Sequence, residues 1–297
     1  MTSPFDKAEM LTLRLGDHLS LRYRRTGTGR PLVLLHTIRT QLDYFRDVIP
    51  RLSEYFTVYA VDLPGHGYSD IDLTQRFDEP YFRRSIRAFI ERLDLKDVLI
   101  AGESIGAVLA LTIASELPER VSAVVASNPY DYDTRYGDGV RRGNALANIL
   151  IGSYAVPVVG AISAALENPF ALGLVLKGGL VDKSKLPRDL LREFDRSGRR
   201  RGYRTLERRN FAGWRTWGAA REKYSSVRAP VTLVYGASDW SHPSERERTK
   251  SALPGARLIM LDKAGHFAAL EHPDAWAQIL INASAEQATR HQAVGRT

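Results

Sequence analysis

The chain has 297 residues, of which 44% are hydrophobic, 26% charged and 9% aromatic, a make-up that excludes wholesale disorder and allows roughly three quarters of the unfolded surface to be buried. It contains no cysteine, which excludes disulfides, thiol catalysis and cysteine metal sites. The net charge of +8 is local, because residues 183–228 carry 15 Lys and Arg against 5 Asp and Glu.

The opening Met1-Thr2-Ser3-Pro4-Phe5-Asp6-Lys7 has no apolar core of signal-peptide type, so a cytoplasmic location is expected. Residues 10–15 and 19–25, joined by Gly16-Asp17-His18, read as an antiparallel hairpin. Residues 31–36 are apolar almost throughout, as in a strand buried on both faces, and a helix is predicted over 43–53. The strand 56–62 runs into Leu63-Pro64-Gly65-His66-Gly67-Tyr68-Ser69, whose two glycines and proline enforce a loop. Helical spacing follows at 79–93, then strands at 98–101 and 121–127 with a helix at 107–114 between them. After Pro230 come a strand at 231–235, a helix at 244–252, a strand at 257–261 and a last helix from near Phe267; the polar tail from Ala283 is expected to fray. This alternation predicts an eight-stranded, mostly parallel sheet with helices on both faces.

Residues 129–229 break the rhythm with helical patterns and no convincing strand. They read as an inserted helical lid between a first core part, 1–128, and a second, 230–282, with a flexible tail at 283–297. Residues 143–166 hold no Asp, Glu, Lys or Arg over 24 residues, a length that could span a bilayer. Asn144, Asn148, Pro157 and Gly160 interrupt it, so no membrane span is expected; a buried pair of lid helices is preferred over a lid that touches lipid. The run Arg196-Ser197-Gly198-Arg199-Arg200-Arg201-Gly202-Tyr203-Arg204 reads as a solvated helix face or as a device attracting an anionic small molecule. No nucleic-acid motif accompanies it, and no nucleic-acid partner is expected.

Gly102-Glu103-Ser104-Ile105-Gly106 sits between a strand and a helix. A chain that reverses so sharply leaves no room for side chains two positions either side of the serine, and it places the first helical N–H, that of Ile105, beside the hydroxyl. Together with residues 62–69, with Gly236-Ala237-Ser238-Asp239-Trp240 and with Ala264-Gly265-His266-Phe267, this elbow resembles the α/β-hydrolase superfamily over residues 10–282. Its lid-bearing esterases, lactonases, non-metal perhydrolases and carbon–carbon bond hydrolases are the nearest in pattern. The resemblance implies the α/β-hydrolase fold.

A serine hydroxyl is hardly ionised at neutral pH and needs a base within hydrogen-bond reach. Of the seven histidines only His266 lies in a Gly-His-Phe loop just past the final strand; His66 is expected to be structural and His272 to lie at the surface. The resemblance implies Asp239 as the acid that orients the imidazole, with Asp131 as the alternative position, and the chain order Ser104, Asp239, His266 fits it. Catalysis also needs two oxyanion donors. Ile105 N–H is one, and by position Ile38 N–H, in His36-Thr37-Ile38-Arg39-Thr40-Gln41, is the other. Thr37 stands where the family has glycine, so an altered loop is expected. Arg39, Glu103 and Trp240 are placed at the substrate; Arg39 could hold a substrate carboxylate, pair with Glu103 or Asp62, or face solvent.

These residues imply a hydrolase of a carboxylic ester, lactone or thioester working through an acyl-serine, without metal or cofactor. Its substrate is expected to be a medium-sized, partly lipophilic small molecule, with an anionic end allowed, and a homodimer is compatible. Carbon–carbon cleavage of a diketone-type substrate and perhydrolysis use the same three residues. A ligand-binding sensor on the same scaffold is the reading from another class.

Overall fold

The computed structural model describes residues 9–294 apart from 167, with the side chains of 157, 165, 166 and 287–294 left out. The opening Met1 to Lys7, read for a signal sequence, and the last three residues of the tail lie outside the described residues. Eight strands form one sheet: β1 (Glu9–Arg14), β2 (Ser20–Thr26), β3 (Arg30–Leu35), β4 (Phe56–Val61), β5 (Val98–Glu103), β6 (Val121–Ser127), β7 (Val231–Gly236) and β8 (Arg257–Leu261). Their order is β1-β2-β4-β3-β5-β6-β7-β8. The pairs β1–β2 and β2–β4 are antiparallel and the remainder parallel.

Burial explains the strand sequences. Every residue of β5 and β7 is buried, as their runs of Val, Leu and Ile require in the middle of a covered sheet. The edge strand β1 instead alternates exposed and half-buried positions. The helices α1 (Ile49–Leu52), α2 (Glu79–Arg92) and α3 (Ile105–Glu116) follow β3, β4 and β5. All of Ile105–Ala114 is buried, so α3 is apolar all round because it packs on β5 and β6 on one side and under other helices on the other.

The helix predicted over 43–53 is two pieces, a 3-10 turn at Leu42–Phe45 and the single turn α1. Pro50 near the start of α1 has no N–H to continue an earlier helix, and its fixed φ suits a fresh start.

Between β6 and β7 the chain forms seven helices: α4 (Asp138–Arg141), α5 (Ala145–Ser153), α6 (Pro157–Leu166), α7 (Pro169–Lys177), α8 (Arg188–Gly198), α9 (Tyr203–Ala212) and α10 (Trp214–Ala219). No strand occurs there among the described residues. The uncharged stretch 143–166 is split between α5 and α6, and no single helix among the described residues is long and apolar enough to cross a membrane. Part of the basic run is tied locally, while Arg196 and Arg199 stay largely exposed, as on a solvated helix face. Arg200 donates to the Gly67 and Ser69 carbonyls at 2.5 and 2.7 Å, Arg199 pairs with Asp195 and Arg196 with Glu193. The two Arg200 bonds fasten the insertion to the loop that follows β4.

After β7 come α11 (Pro243–Ser251), β8, α12 (Ala268–Glu271) and α13 (Pro273–Val294). The last helix continues beyond Ala283, where fraying is expected. Trp276, Ala277 and Leu280 anchor its first turns in the core, and Trp276 donates from its ring to Ser127 Oγ at 2.7 Å.

Candidate active site

The carboxyl ends of β3, β5, β6, β7 and β8 open on one edge of the sheet, the edge where parallel sheets carry their sites. Ser104, directly after β5, has φ 60° and ψ −120°, a conformation that costs about 1–3 kcal/mol and persists only where its surroundings impose it. They do so here. A Cβ on Gly102 would lie 2.3 Å from the Gly106 carbonyl oxygen, and one on Gly106 would lie 2.1 Å from that of Leu35. Both glycines are therefore needed for α3 to begin against β3.

His266 lies between β8 and α12. Its Nε2 is 2.9 Å from Ser104 Oγ, and its Nδ1 is 2.5 Å from Asp239 Oδ1. A carboxylate only accepts, so the ring proton sits on Nδ1 and Nε2 is left to accept from the serine hydroxyl. Burial works to raise the pKa of Asp239, but the His266 ring and the N–H and O–H of Ser241 outweigh it and hold the carboxyl below its ordinary value. Trp240 stacks on His266 with centroids 3.9 Å apart and planes 17° from parallel. Its own N–H donates to Gly178 O at 3.2 Å, so the imidazole is braced by a ring tied to the insertion. Asp131, the alternative acid, accepts from Thr249 Oγ1 at 3.0 Å.

The loop after β3 resolves the question raised by Thr37. Leu63 N–H donates to His36 Nε2 at 3.0 Å, and His36 Nδ1 faces Thr37 O at 2.8 Å. Burial pushes the His36 pKa down to about 3, so the ring is a neutral strut. The left-handed residue of this loop is Arg39, φ 63°, and Thr37 needs no such conformation. A β-branched residue therefore fits at 37, and the left-handed position of this loop is 39. Arg39 pairs with Glu207 of α9, and both side chains are buried. This corrects the expected pairing with Glu103 or Asp62 and the expected exposure to solvent. Glu207 reaches Arg39 only because the insertion folds back over the loop.

Ile38 and Ile105 line a single recess with Tyr130, Asp133, Val140, Asn210, Phe211, Trp214 and Trp217. Its free space, about 10 Å³, is barely that of one water molecule. Among the described hydrogen bonds, neither Ile38 N–H nor Ile105 N–H donates to another group. Two further donors at the recess, Asn210 Nδ2 and Trp217 Nε1, are buried and without a partner.

The alpha/beta hydrolase family model matches residues 32–279. The chain is an α/β-hydrolase. It is 27% identical over 256 residues to the dihydrolipoyllysine-residue acetyltransferase component of the acetoin cleaving system of Cupriavidus necator, a match that covers 86% of this chain and 64% of that one. The hydrolase thus spans somewhat under two thirds of that relative. It is also 27% identical over 259 residues to the pimeloyl-[acyl-carrier protein] methyl ester esterase of Neisseria meningitidis, covering 84% of this chain and 75% of the esterase. In fold it is similar to Cfl2 of Burkholderia cenocepacia, with a TM-score of 0.76, 21% identity, and 93% and 94% of the two chains covered.

Glu103 of the hydrolase, expected at the substrate, lies wholly buried behind the elbow. Ala268 N–H donates to its Oε1 at 2.6 Å and Ala269 N–H to its Oε2 at 3.4 Å; the Tyr44 hydroxyl and Asn128 Nδ2 also donate to it. It therefore caps α12, the helix that begins just past His266, and holds the base from behind. Burial pushes its pKa up to about 8 against those four donors. With an unfolded value of 4.5, the stability that goes with this proton is complete below 4.5 and is lost as pH rises through 8. Glu103→Gln, which cannot ionise, is expected to flatten the fall in Tm between about pH 5 and about pH 9. Glu103→Ala leaves buried donors without a partner and is expected to lose about 3 kcal/mol in urea unfolding; an Ala variant as stable as the parent contradicts this role.

Asn128 was not legible as a site residue. Its Nδ2 donates to the carbonyls of His266 at 3.0 Å and Gly265 at 3.3 Å, and its Oδ1 accepts from Gly236 N–H at 2.9 Å. One side chain thus joins the ends of β6 and β7 to the His266 loop. Its φ of 46° is of the kind asparagine tolerates best among residues with a Cβ.

Proposed function

We propose that the hydrolase cleaves a carboxylic ester, lactone or thioester through an acyl intermediate on Ser104. The observation that carries this reading is the continuous line from Ser104 Oγ through both nitrogens of His266 to Asp239, at 2.9 and 2.5 Å. Ser104 Oγ attacks the substrate carbonyl carbon as His266 Nε2 takes its proton. Asp239, ionised, fixes the Nδ1–H tautomer and stabilises the imidazolium. The developing oxyanion takes the N–H groups of Ile105 and Ile38, which serve no other bond; each such donor is worth about 3–4 kcal/mol in the transition state. His266 then protonates the leaving alcohol or thiol, and water hydrolyses the acyl-serine by the same route in reverse.

In this reading the insertion is a lid. Its α4, α9 and α10 close the apolar recess over Ser104, and they move outward to admit substrate, since the closed recess holds no more than one water. The acyl group is lipophilic and uncharged. The cation nearest the oxyanion loop, Arg39, is committed to Glu207, and Asp133 faces the same recess, which disfavours an anionic end. The similarity to the Neisseria methyl ester esterase supports the ester class.

The test is hydrolysis of p-nitrophenyl esters of increasing acyl length by the parent and by Ser104→Ala. Turnover that vanishes in the variant supports the proposal. Turnover that persists in Ser104→Ala, or none on any ester, thioester or lactone, defeats it.

A further inference from the structure

The outer face of α5, α6 and α7 is apolar where a helix facing water should be charged. Ile149, Val158, Ile162 and Phe170 are exposed by 70%, 71%, 55% and 75%, with Val156 and Val159 about half exposed beside them. They belong to or adjoin a 24-residue stretch without Asp, Glu, Lys or Arg. Six exposed apolar side chains gathered on or beside three successive helices mark a surface that meets something apolar. The other large exposed apolar side chains are scattered, from Met10 to Met260.

A basic rim adjoins this face. Lys177 ends α7, and Lys183 and Lys185 form the next turn. None of the three enters an ion pair among the described residues. Lys177 and Lys183 share a groove of about 670 Å³ with Leu146 and Val181, and that groove leads to Trp240 and Asp239.

We propose that this face docks on an anionic phospholipid bilayer. The apolar side chains of α5–α7 enter the boundary between headgroups and acyl chains, and Lys177, Lys183 and Lys185 meet the lipid phosphates. The three lysines, against the exposed acid Asp182 on the same turn, favour an anionic surface; a second copy of the chain is the other occupant, and the test separates the two. The groove opens at the docked edge, which gives a lipophilic molecule dissolved in the bilayer a path toward Trp240. Docking stands on the surface alone and does not depend on Ser104 being a nucleophile.

The test is co-sedimentation of the full chain with vesicles of phosphatidylcholine alone and of phosphatidylcholine with about 30% phosphatidylglycerol. Binding to the anionic vesicles is expected to exceed binding to the neutral ones about tenfold or more and to weaken with added salt. Ile162→Ser with Phe170→Ser is expected to abolish it. Lys177→Glu with Lys183→Glu is expected to weaken it about tenfold or more. All these side chains are exposed or at the rim, so the variants should keep the parent circular dichroism and Tm, which are measured alongside. Failure to bind either vesicle overturns the proposal, as does binding that the substitutions leave unchanged. It is also overturned if sedimentation velocity shows a dimer that the apolar substitutions dissociate while vesicles bind nothing. Loss of ester hydrolysis in Ser104→Ala with vesicle binding intact separates this inference from the hydrolase reading.

Discussion

Replacing His266 with alanine is expected to lower kcat toward an ester by about 10⁵- to 10⁶-fold with little change in KM, because it removes the only base within reach of Ser104 among the described residues and nothing that binds substrate in its ground state. The expectation rests on isolation as much as on contact. Ser104 and His266 are both fully buried, the other two histidines near this edge are held neutral, with His36 and His66 each pushed by burial to about 3, and Trp240 covers the ring. No bulk water or neighbouring imidazole is placed to substitute. Asp239→Asn is expected to cost less, about 10⁴-fold, since it keeps the shape but reverses the preferred tautomer. The double variant Ser104→Ala with His266→Ala should lose little beyond either single one, because the residues act as a unit. Steady-state kinetics on one p-nitrophenyl ester reads the parent and all four variants. A loss of less than about a hundredfold in His266→Ala is outside what the removal of a general base explains.

Glu207→Gln is expected to destabilise the protein by about 3–5 kcal/mol, the cost of leaving one charge of a buried pair without its partner. Arg39 and Glu207 are 5% and 3% exposed in their side chains, so water cannot make good the loss. Arg39→Met should cost a comparable amount for the opposite charge. Arg39→Met with Glu207→Leu removes both charges and is expected to recover most of the stability, as buried pairs replaced by apolar groups commonly do. Activity should part from stability in that double variant. Arg39 has φ 63° and follows Ile38 directly, so without the pair to hold it the loop relaxes and Ile38 N–H drifts from the oxyanion. The account predicts a restored urea midpoint with kcat still lowered about tenfold or more. A double variant as unstable as the singles would mean that the packing of α9, and not the charge pair, fixes this loop.

The core was legible because its signals are local. Strand periodicity, the glycines at 102 and 106, and a serine between strand and helix each report the backbone conformation of their own segment, and the observed strand bounds differ from the expected ones by one or two residues. His266 and Asp239 were legible because each closes a strand at the functional edge. What escaped depends on contacts across the chain. Glu207 lies 168 positions from Arg39, and nothing in a helix of mixed charge singles it out. Glu103 sits in the elbow motif, but whether its carboxylate faces outward or back to α12 is decided by the helix that starts at Ala268. Asn128 left a faint signal, an asparagine that ends an apolar strand before a proline. The helices of the insertion were legible as helices and not in their exposure. An uncharged stretch was expected to be buried, and half of it faces outward, because periodicity says which residues share a face and not what that face meets.

The central claim is that Ser104 is the nucleophile and His266 its base. Incubation with a fluorophosphonate followed by intact-protein mass spectrometry and peptide mapping tests it without knowledge of the substrate. The account predicts one adduct per chain, on Ser104, absent from Ser104→Ala and strongly slowed in His266→Ala. An adduct on another residue, or one that forms as fast without His266, would contradict it.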